Sequence, residues 1–87
     1  MNKIPTHIKK LANSKDFQPS VRVGKSGITE SLVVEIDEQL SRKEIVKIKI
    51  NRGLFKKEQI KEVWQHLSSE TKSTIVTSRG NVCVLWR

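Results

Sequence analysis

The segment from residue 20 to residue 50 constrains the fold more than any other part of the sequence. Residues 20–23 are predicted as a short strand, residues 29–41 as a helix capped by Thr29, and residues 44–50 as a second strand. The second strand alternates apolar residues with Lys47 and Lys49, which is typical of a strand with one buried face. A strand–helix–strand unit favours a right-handed crossover, which places the two strands side by side and parallel.

Hydrophobic periodicity predicts the remaining elements. A first helix is expected over residues 5–14, with Ile4, Ile8, Leu11 and Ala12 at helical spacing. A third helix is expected over residues 56–68, and strands over residues 73–78 and 81–86 flank a turn at Arg79-Gly80. The order α-β-α-β-α-β-β predicts an α/β fold with a four-stranded mixed sheet and three helices. Residues 1–87 are expected to form a single compact domain.

The charge of the chain favours an anionic partner. Seventeen Lys and Arg residues stand against nine Asp and Glu residues, which gives a net charge of +8. The excess lies in residues 1–27 and 45–57, while residues 28–44 are acidic. Nucleic acid is the usual partner of such a chain. Cys83 is the single cysteine, and no apolar run approaches the ~18 residues of a membrane span, so we expect a cytoplasmic protein without disulfides or a membrane segment.

The motif Gly24-Lys25-Ser26-Gly27 lies between the first predicted strand and the second helix. RNA-binding KH modules use a GXXG loop to clamp a nucleotide backbone, and the lysine inside this loop suits that role. An ordinary glycine turn is the alternative. A nucleotide-binding P-loop is excluded because Pro19 stands where that motif needs its first glycine.

A second basic loop is predicted at the same edge of the sheet. Parallel neighbouring strands end at one edge, so the loops at residues 24–27 and 51–55 are expected to converge there. Each loop leads into a helix, whose first N–H groups favour an anion. The residues predicted to extend the contact are Arg22, Arg52, Lys56 and Lys57, with Lys9 and Lys10 as a possible flank. Lys47 and Lys49 either follow phosphates or form a solvated strand face.

Other residues with useful chemistry have simpler interpretations. Phe55 either stacks on a base or anchors the third helix, and Trp86 either closes the sheet or stacks. Trp64 and Cys83 are interpreted as core residues, and His7 and His66 lack neighbours at metal-ligand spacing. Glu35, Asp37 and Glu38 fit a solvated helix face. Because no nucleophile–base arrangement emerges, we expect no catalytic residue, no metal site and no cofactor.

Several segments together resemble the CRM domain, named for chloroplast RNA splicing and ribosome maturation. They are Val21-Arg22-Val23-Gly24-Lys25-Ser26-Gly27-Ile28-Thr29-Glu30, Glu35-Ile36-Asp37, residues 44–50 and the closing Gly80-Asn81-Val82-Cys83-Val84-Leu85-Trp86-Arg87. The resemblance covers nearly the whole chain and implies a fold like the C-terminal domain of translation initiation factor three. It also implies RNA binding: stand-alone bacterial members associate with precursor large ribosomal subunits, and plant members assist group II intron splicing.

The chain departs from bacterial members in a shorter segment at residues 68–73 and in the lack of residues after Arg87, and this compact form is similar to archaeal stand-alone members. The preferred hypothesis is a monomeric protein that is not an enzyme and that binds structured ribosomal RNA through the GXXG loop during large-subunit assembly. A cofactor for RNA splicing or processing remains open. So does a protein–protein module that binds an acidic translation factor.

Overall fold

The computed structural model describes residues 4–87, so the first three residues of the predicted domain lie outside the described part. The elements are α1 (Thr6–Ala12), β1 (Val21–Val23), α2 (Glu30–Lys43), β2 (Ile45–Ile50), α3 (Lys57–Glu70), β3 (Thr74–Arg79) and β4 (Val82–Trp86). The predicted order is confirmed, and the predicted boundaries are displaced by at most two residues. The last turn differs: β3 continues through Arg79, and the reversal falls at Gly80 and Asn81.

The four strands form one mixed sheet in the order β1-β2-β4-β3. Strands β1 and β2 are parallel, with Val21 opposite Ile48, which confirms the predicted crossover through α2. Strand β4 is antiparallel to both of its neighbours and therefore lies inside the sheet, while β3 forms an edge. This position explains the nearly continuous apolar sequence of β4, since a central strand with helices on both faces has two buried faces.

Each face of the sheet has its own hydrophobic core. Helices α2 and α3 cover one face, where Val46, Ile48 and Ile50 of β2 are fully buried against residues such as Leu67. Helix α1 covers part of the other face, where Ile8 and Ala12 pack against Ile45 and Val84. The alternation of β2 thus sends its even-numbered residues into the larger core. Its lysines lie on the face that α1 covers only in part.

Side chains and backbone geometry fix the ends of α2. Thr29 Oγ1 accepts a hydrogen bond from the Leu32 N–H at 3.1 Å, which confirms the predicted N-cap. At the other end, Glu44 adopts the left-handed conformation with φ of 67°, and its N–H donates to the Leu40 carbonyl. This cap leads the chain directly into β2. The start of α2 lies at the edge of the sheet where β1 ends, because only residues 24–29 separate the two elements.

Most predictions for single apolar residues are confirmed. Trp64 is 2% exposed and Cys83 is fully buried, both in the larger core. Phe55 is half-buried against that core, which matches the anchoring role, and Trp86 packs against the smaller core, where it closes the sheet. Of the apolar residues at helical spacing in α1, Ile8 and Ala12 are buried, whereas Leu11 is 41% exposed.

Candidate nucleic-acid interface

Three segments of the chain meet at one rim of the sheet. The Asn51 N–H donates to the Val23 carbonyl at 3.0 Å, so the loop after β2 begins beside the end of β1. The Asn81 carbonyl accepts from the Ile50 N–H at 2.8 Å, and Asn81 Nδ2 donates to the Ile50 carbonyl at 3.1 Å. The two predicted loops therefore converge as expected. The β3–β4 turn joins them as a third segment that the sequence analysis did not predict at this rim.

The glycine loop is a closed turn with free backbone donors. The Gly24 carbonyl accepts a hydrogen bond from the Gly27 N–H at 2.9 Å. Gly27 has a φ of +68°, which side chains rarely tolerate, whereas Gly24 has an ordinary conformation. The N–H groups of Lys25 and Ser26 donate to no other group within residues 4–87. Unlike the N–H of Gly27, these two groups are therefore available to bind an anion.

A shallow depression of about 320 Å³ surrounds this loop and the first turn of α2. Arg22 and Lys25 bring positive charge to it, and Ser26 and Ser31 bring hydroxyl groups. The start of α2 adds the partial positive charge of a helix N-terminus. Glu35 lies on the wall as the acidic exception. The depression therefore has the donors and the charge that a phosphate group requires.

The second loop carries the other predicted contacts of the rim. Arg52 is exposed, and the following Leu54 and Phe55 pack against the larger core, which fixes the loop to the body of the protein. Lys56 and Lys57 are exposed where α3 begins. Cations at a helix N-terminus reduce helix stability by roughly 0.3–1 kcal/mol each. Their presence here is unfavourable for folding and favourable for an anionic ligand.

The register aligns three cations in one row across the partly open face of the sheet. Arg22 is opposite Lys49, Lys49 is opposite Val82, and Val82 is opposite Arg79. The three basic residues are exposed. We refer to Arg22, Lys49 and Arg79 as the cation row. Like charges on neighbouring strands destabilise a sheet, so the row has a cost in folding free energy.

Lys47 lies two residues before Lys49 on the same face of β2, and its side chain makes contacts within the protein. Its ammonium group donates to the Phe17 carbonyl at 2.8 Å and lies 5.7 Å from the centre of the Phe17 ring. The residue is half-buried as a result. The two lysines, predicted as a solvated strand face or as phosphate contacts, therefore differ. Lys49 is exposed, whereas Lys47 is half-buried and connects the segment after α1 to the sheet.

Charge is sorted between the two sides of the sheet. On the side of α1 and the cation row, seven basic residues accompany the single carboxylate of Asp16; they are Lys9, Lys10, Lys15, Arg22, Lys47, Lys49 and Arg79. The other eight carboxylates belong to α2, α3 and the α2 C-cap. Within residues 4–87, the ion pair is that of Arg87 with Asp37, on the α2 side. The seven cations thus lack a carboxylate partner in the described chain.

The remaining titratable groups of residues 4–87 include a buried thiol and several exposed side chains. Burial raises the pKa of the Cys83 thiol to about 12, so the thiol stays protonated at neutral pH. His7 and His66 are exposed, and Glu35, Asp37 and Glu38 line the exposed side of α2. No three metal-ligating side chains gather anywhere in residues 4–87. None of the helices in that range is long and apolar enough to cross a membrane.

Two basic residues of this interface escaped the sequence analysis. Arg79 was assigned to the turn because the sequence does not show that β4 lies between β2 and β3, and Lys15 was given no role. The order of the strands brings Arg79 into the cation row. The available signal was the apolar run of β4, which indicates a central strand and therefore neighbours on both sides.

Fold and surface together define a small α/β domain with a glycine loop and a basic rim on a mixed sheet. The model of the CRS1/YhbY (CRM) domain matches residues 2–87, so the chain belongs to this family. A Methanocaldococcus jannaschii protein described as a probable RNA-binding protein is 29% identical over 76 residues, which are 87% of this chain and 56% of that protein. A Haemophilus influenzae RNA-binding protein is 30% identical over 71 residues, 82% of this chain and 70% of that protein.

A solved structure has the same fold. The solution structure of a Staphylococcus aureus protein, described as a candidate RNA-binding protein, superposes with a TM-score of 0.74 and 30% sequence identity. The match covers 93% of this chain and 80% of the other. The chain is thus shorter than these relatives and spans little more than half of the archaeal one.

Proposed function

We propose that this chain binds structured RNA by gripping the phosphate backbone with the Gly24–Gly27 loop. The observation that carries the proposal is the pair of free N–H groups at Lys25 and Ser26, in a loop that also offers the lysine ammonium. The names of the archaeal and Haemophilus relatives support RNA as the anion. The protein acts as a binding module rather than as an enzyme.

The phosphate contacts extend from the loop in two directions. Along the rim, Arg52, Lys56 and Lys57 meet the neighbouring phosphates, and on the sheet face Arg22, Lys49 and Lys47 continue the path. Contacts of this kind place RNA in a fixed orientation without reading its bases. Recognition then depends on the shape of the RNA.

We further propose large-subunit ribosomal RNA, or a precursor particle that contains it, as the target, and a monomer as the active form. This choice rests on the likeness to stand-alone members of the CRM family. A role in RNA splicing or processing would use the same surface. The two differ in which RNA copurifies with the protein.

The test is RNA binding over a salt series with single substitutions in the loop. Gly24→Asp and Ser26→Asp place a carboxylate beside the proposed phosphate at two positions that need no left-handed backbone. We expect each to weaken binding at least tenfold. Lys25→Ala removes one phosphate contact, so the slope of log K against log salt becomes shallower by about 0.7–0.9.

Lys43→Ala is the matched control. It removes the same charge from the opposite end of α2, about 20 Å from the loop at ~1.5 Å per residue. We expect it to leave the salt slope nearly unchanged. Equal effects of Lys25→Ala and Lys43→Ala, together with full binding by both aspartate variants, would move the site away from the loop. An acidic protein partner would then become the leading alternative.

A further inference from the structure

A groove of about 330 Å³ lies on the sheet face beside α1, apart from the glycine loop. It exists because α1 ends at Ala12: Ile8 and Ala12 cover Val84 of β4, which is 1% exposed, whereas Val82 is only half-buried. Val82 is thus the accessible part of the apolar floor, and the buried Ala12 and Val84 lie at its end. The volume lies at the low end of the roughly 300–1,000 Å³ that is usual for small-ligand sites.

The groove combines this apolar floor with basic side chains. Lys15, Lys47 and Arg79 line it, and they reach it from the segment after α1, from β2 and from β3. Lys47 is fixed by its hydrogen bond to the Phe17 carbonyl, so one of the three cations is already ordered. No carboxylate is among the residues that line the groove. Its electrostatics therefore favour an anion.

The polar groups between the cations and the floor suit the edge of a flat ring. Asn13 and Thr77 line the groove and offer an amide and a hydroxyl group. The Asn13 Nδ2 atom donates to the Lys9 carbonyl at 2.9 Å, which orients its amide and leaves the side-chain oxygen as an acceptor. A bare phosphate would use the cations but not the apolar floor. A nucleotide would contact the cations with its phosphate, the polar groups with the edge of its base and the apolar floor with the face of its base.

We propose that the groove seats one unpaired nucleotide of the bound RNA, with its base against Val82 and its phosphate between Lys15 and Arg79. This inference rests on the proposed RNA-binding function and adds a preference for unpaired segments to it. Unpaired bases are the usual target where proteins contact RNA bases. Arg79 also belongs to the cation row, so the groove is continuous with the proposed backbone path.

The distance from the groove to the rim allows one RNA segment to occupy both. Val84 is opposite Lys47, and Val82 is opposite Lys49. Two residues along a strand span roughly 7 Å. A short single-stranded stretch can therefore run from the groove over the cation row to the glycine loop.

The experiment compares a 12-nucleotide single-stranded RNA that carries 2-aminopurine near its centre with a blunt duplex of the same length. Thr77→Phe fills the groove and keeps every charge. We expect it to weaken binding of the single strand at least tenfold, to abolish the 2-aminopurine fluorescence change and to alter duplex binding less than twofold. Lys15→Glu changes only an exposed loop position and tests the same groove should the filled variant unfold.

The matched control for charge is the Arg42→Ala/Lys43→Ala double variant at the C-terminal end of α2, compared with Lys15→Ala/Arg79→Ala. We expect the groove double variant to lose the preference for the single strand and the control to retain it. If groove variants bind both RNAs like the native chain while Ser26→Asp binds neither, the groove inference is wrong and the proposed function stands. If the native chain binds neither RNA, or prefers an acidic peptide, both proposals are wrong.

Discussion

Lys47 and Lys49 stand two residues apart on the same face of β2, and we expect their substitution to change stability in opposite directions. Lys49 is exposed, with Arg22 of the cation row opposite it on β1 and Val82 opposite it on β4. Lys49→Gln keeps a polar side chain and removes the repulsion from Arg22. A like-charge neighbour on an adjacent strand costs about 0.2–1 kcal/mol. The free energy of unfolding is therefore expected to rise by roughly 0.5 kcal/mol at low salt.

Lys47→Met has the opposite effect because it removes the donor to the Phe17 carbonyl while it keeps the apolar stem. A hydrogen bond to a charged group is worth about 1.5–3 kcal/mol, and the half-buried position reduces this value. We expect a loss of roughly 1 kcal/mol. Both substitutions remove one charge, so we expect both to weaken RNA binding.

Urea denaturation at about 10 mM and about 1 M salt separates the two causes, because the Debye length falls from ~30 Å to ~3 Å between them. The gain from Lys49→Gln is expected to disappear at high salt, while the loss from Lys47→Met remains. Urea is the suitable denaturant because it carries no charge. A loss of stability in Lys49→Gln at low salt would refute the argument that the cation row is strained. So would equal shifts in the two variants.

Two further predictions concern the glycine loop and the buried thiol. Gly27→Ala is expected to reduce the free energy of unfolding by roughly 1–2 kcal/mol because residue 27 has a left-handed backbone, whereas Gly24→Ala is expected to be nearly neutral. Thermal denaturation of both variants tests this, and equal losses of stability would contradict it. Cys83 is expected to resist alkylation in the native state at pH 8 and to react fully in urea. Burial raises the pKa of the Cys83 thiol to about 12, so unfolding releases a proton above the ordinary thiol pKa. The free energy of unfolding is therefore expected to fall between pH 9 and pH 12. A Cys83→Ala variant would lack this fall.

The local order of elements could be predicted because each depends on short-range chemistry. The alternation in β2, the Thr29 cap and the glycine loop are all readable within a few residues, and the parallel pairing follows from the handedness of crossovers. The convergence of the two loops at one rim is a consequence of that pairing. For this reason the position of most residues of the candidate interface in the fold could be predicted. Their role in binding stays a prediction.

The face covered by α1 could not be predicted in the same way. Alternation shows that Lys47 and Lys49 share a face, but it does not show that α1 would cover Ile45 at one end and leave the rest open. Nor does it place β4 between β2 and β3, the pairing that brings Arg79 into the row. These features depend on contacts between distant parts of the chain. The cytoplasmic location and the single-domain extent also stay predictions.

The sorting of charge between the two sides of the sheet gives the molecule an electric dipole. Its positive end lies on the side of α1 and the cation row, and the carboxylates of α2 and α3 lie on the other side. In the field of a polyanion such a molecule experiences a torque as well as an attraction. It turns its basic side forward before contact, so a larger share of encounters begins in the correct orientation. The side of α2 and α3, which carries eight of the nine carboxylates with the α2 C-cap, then faces away from the polyanion.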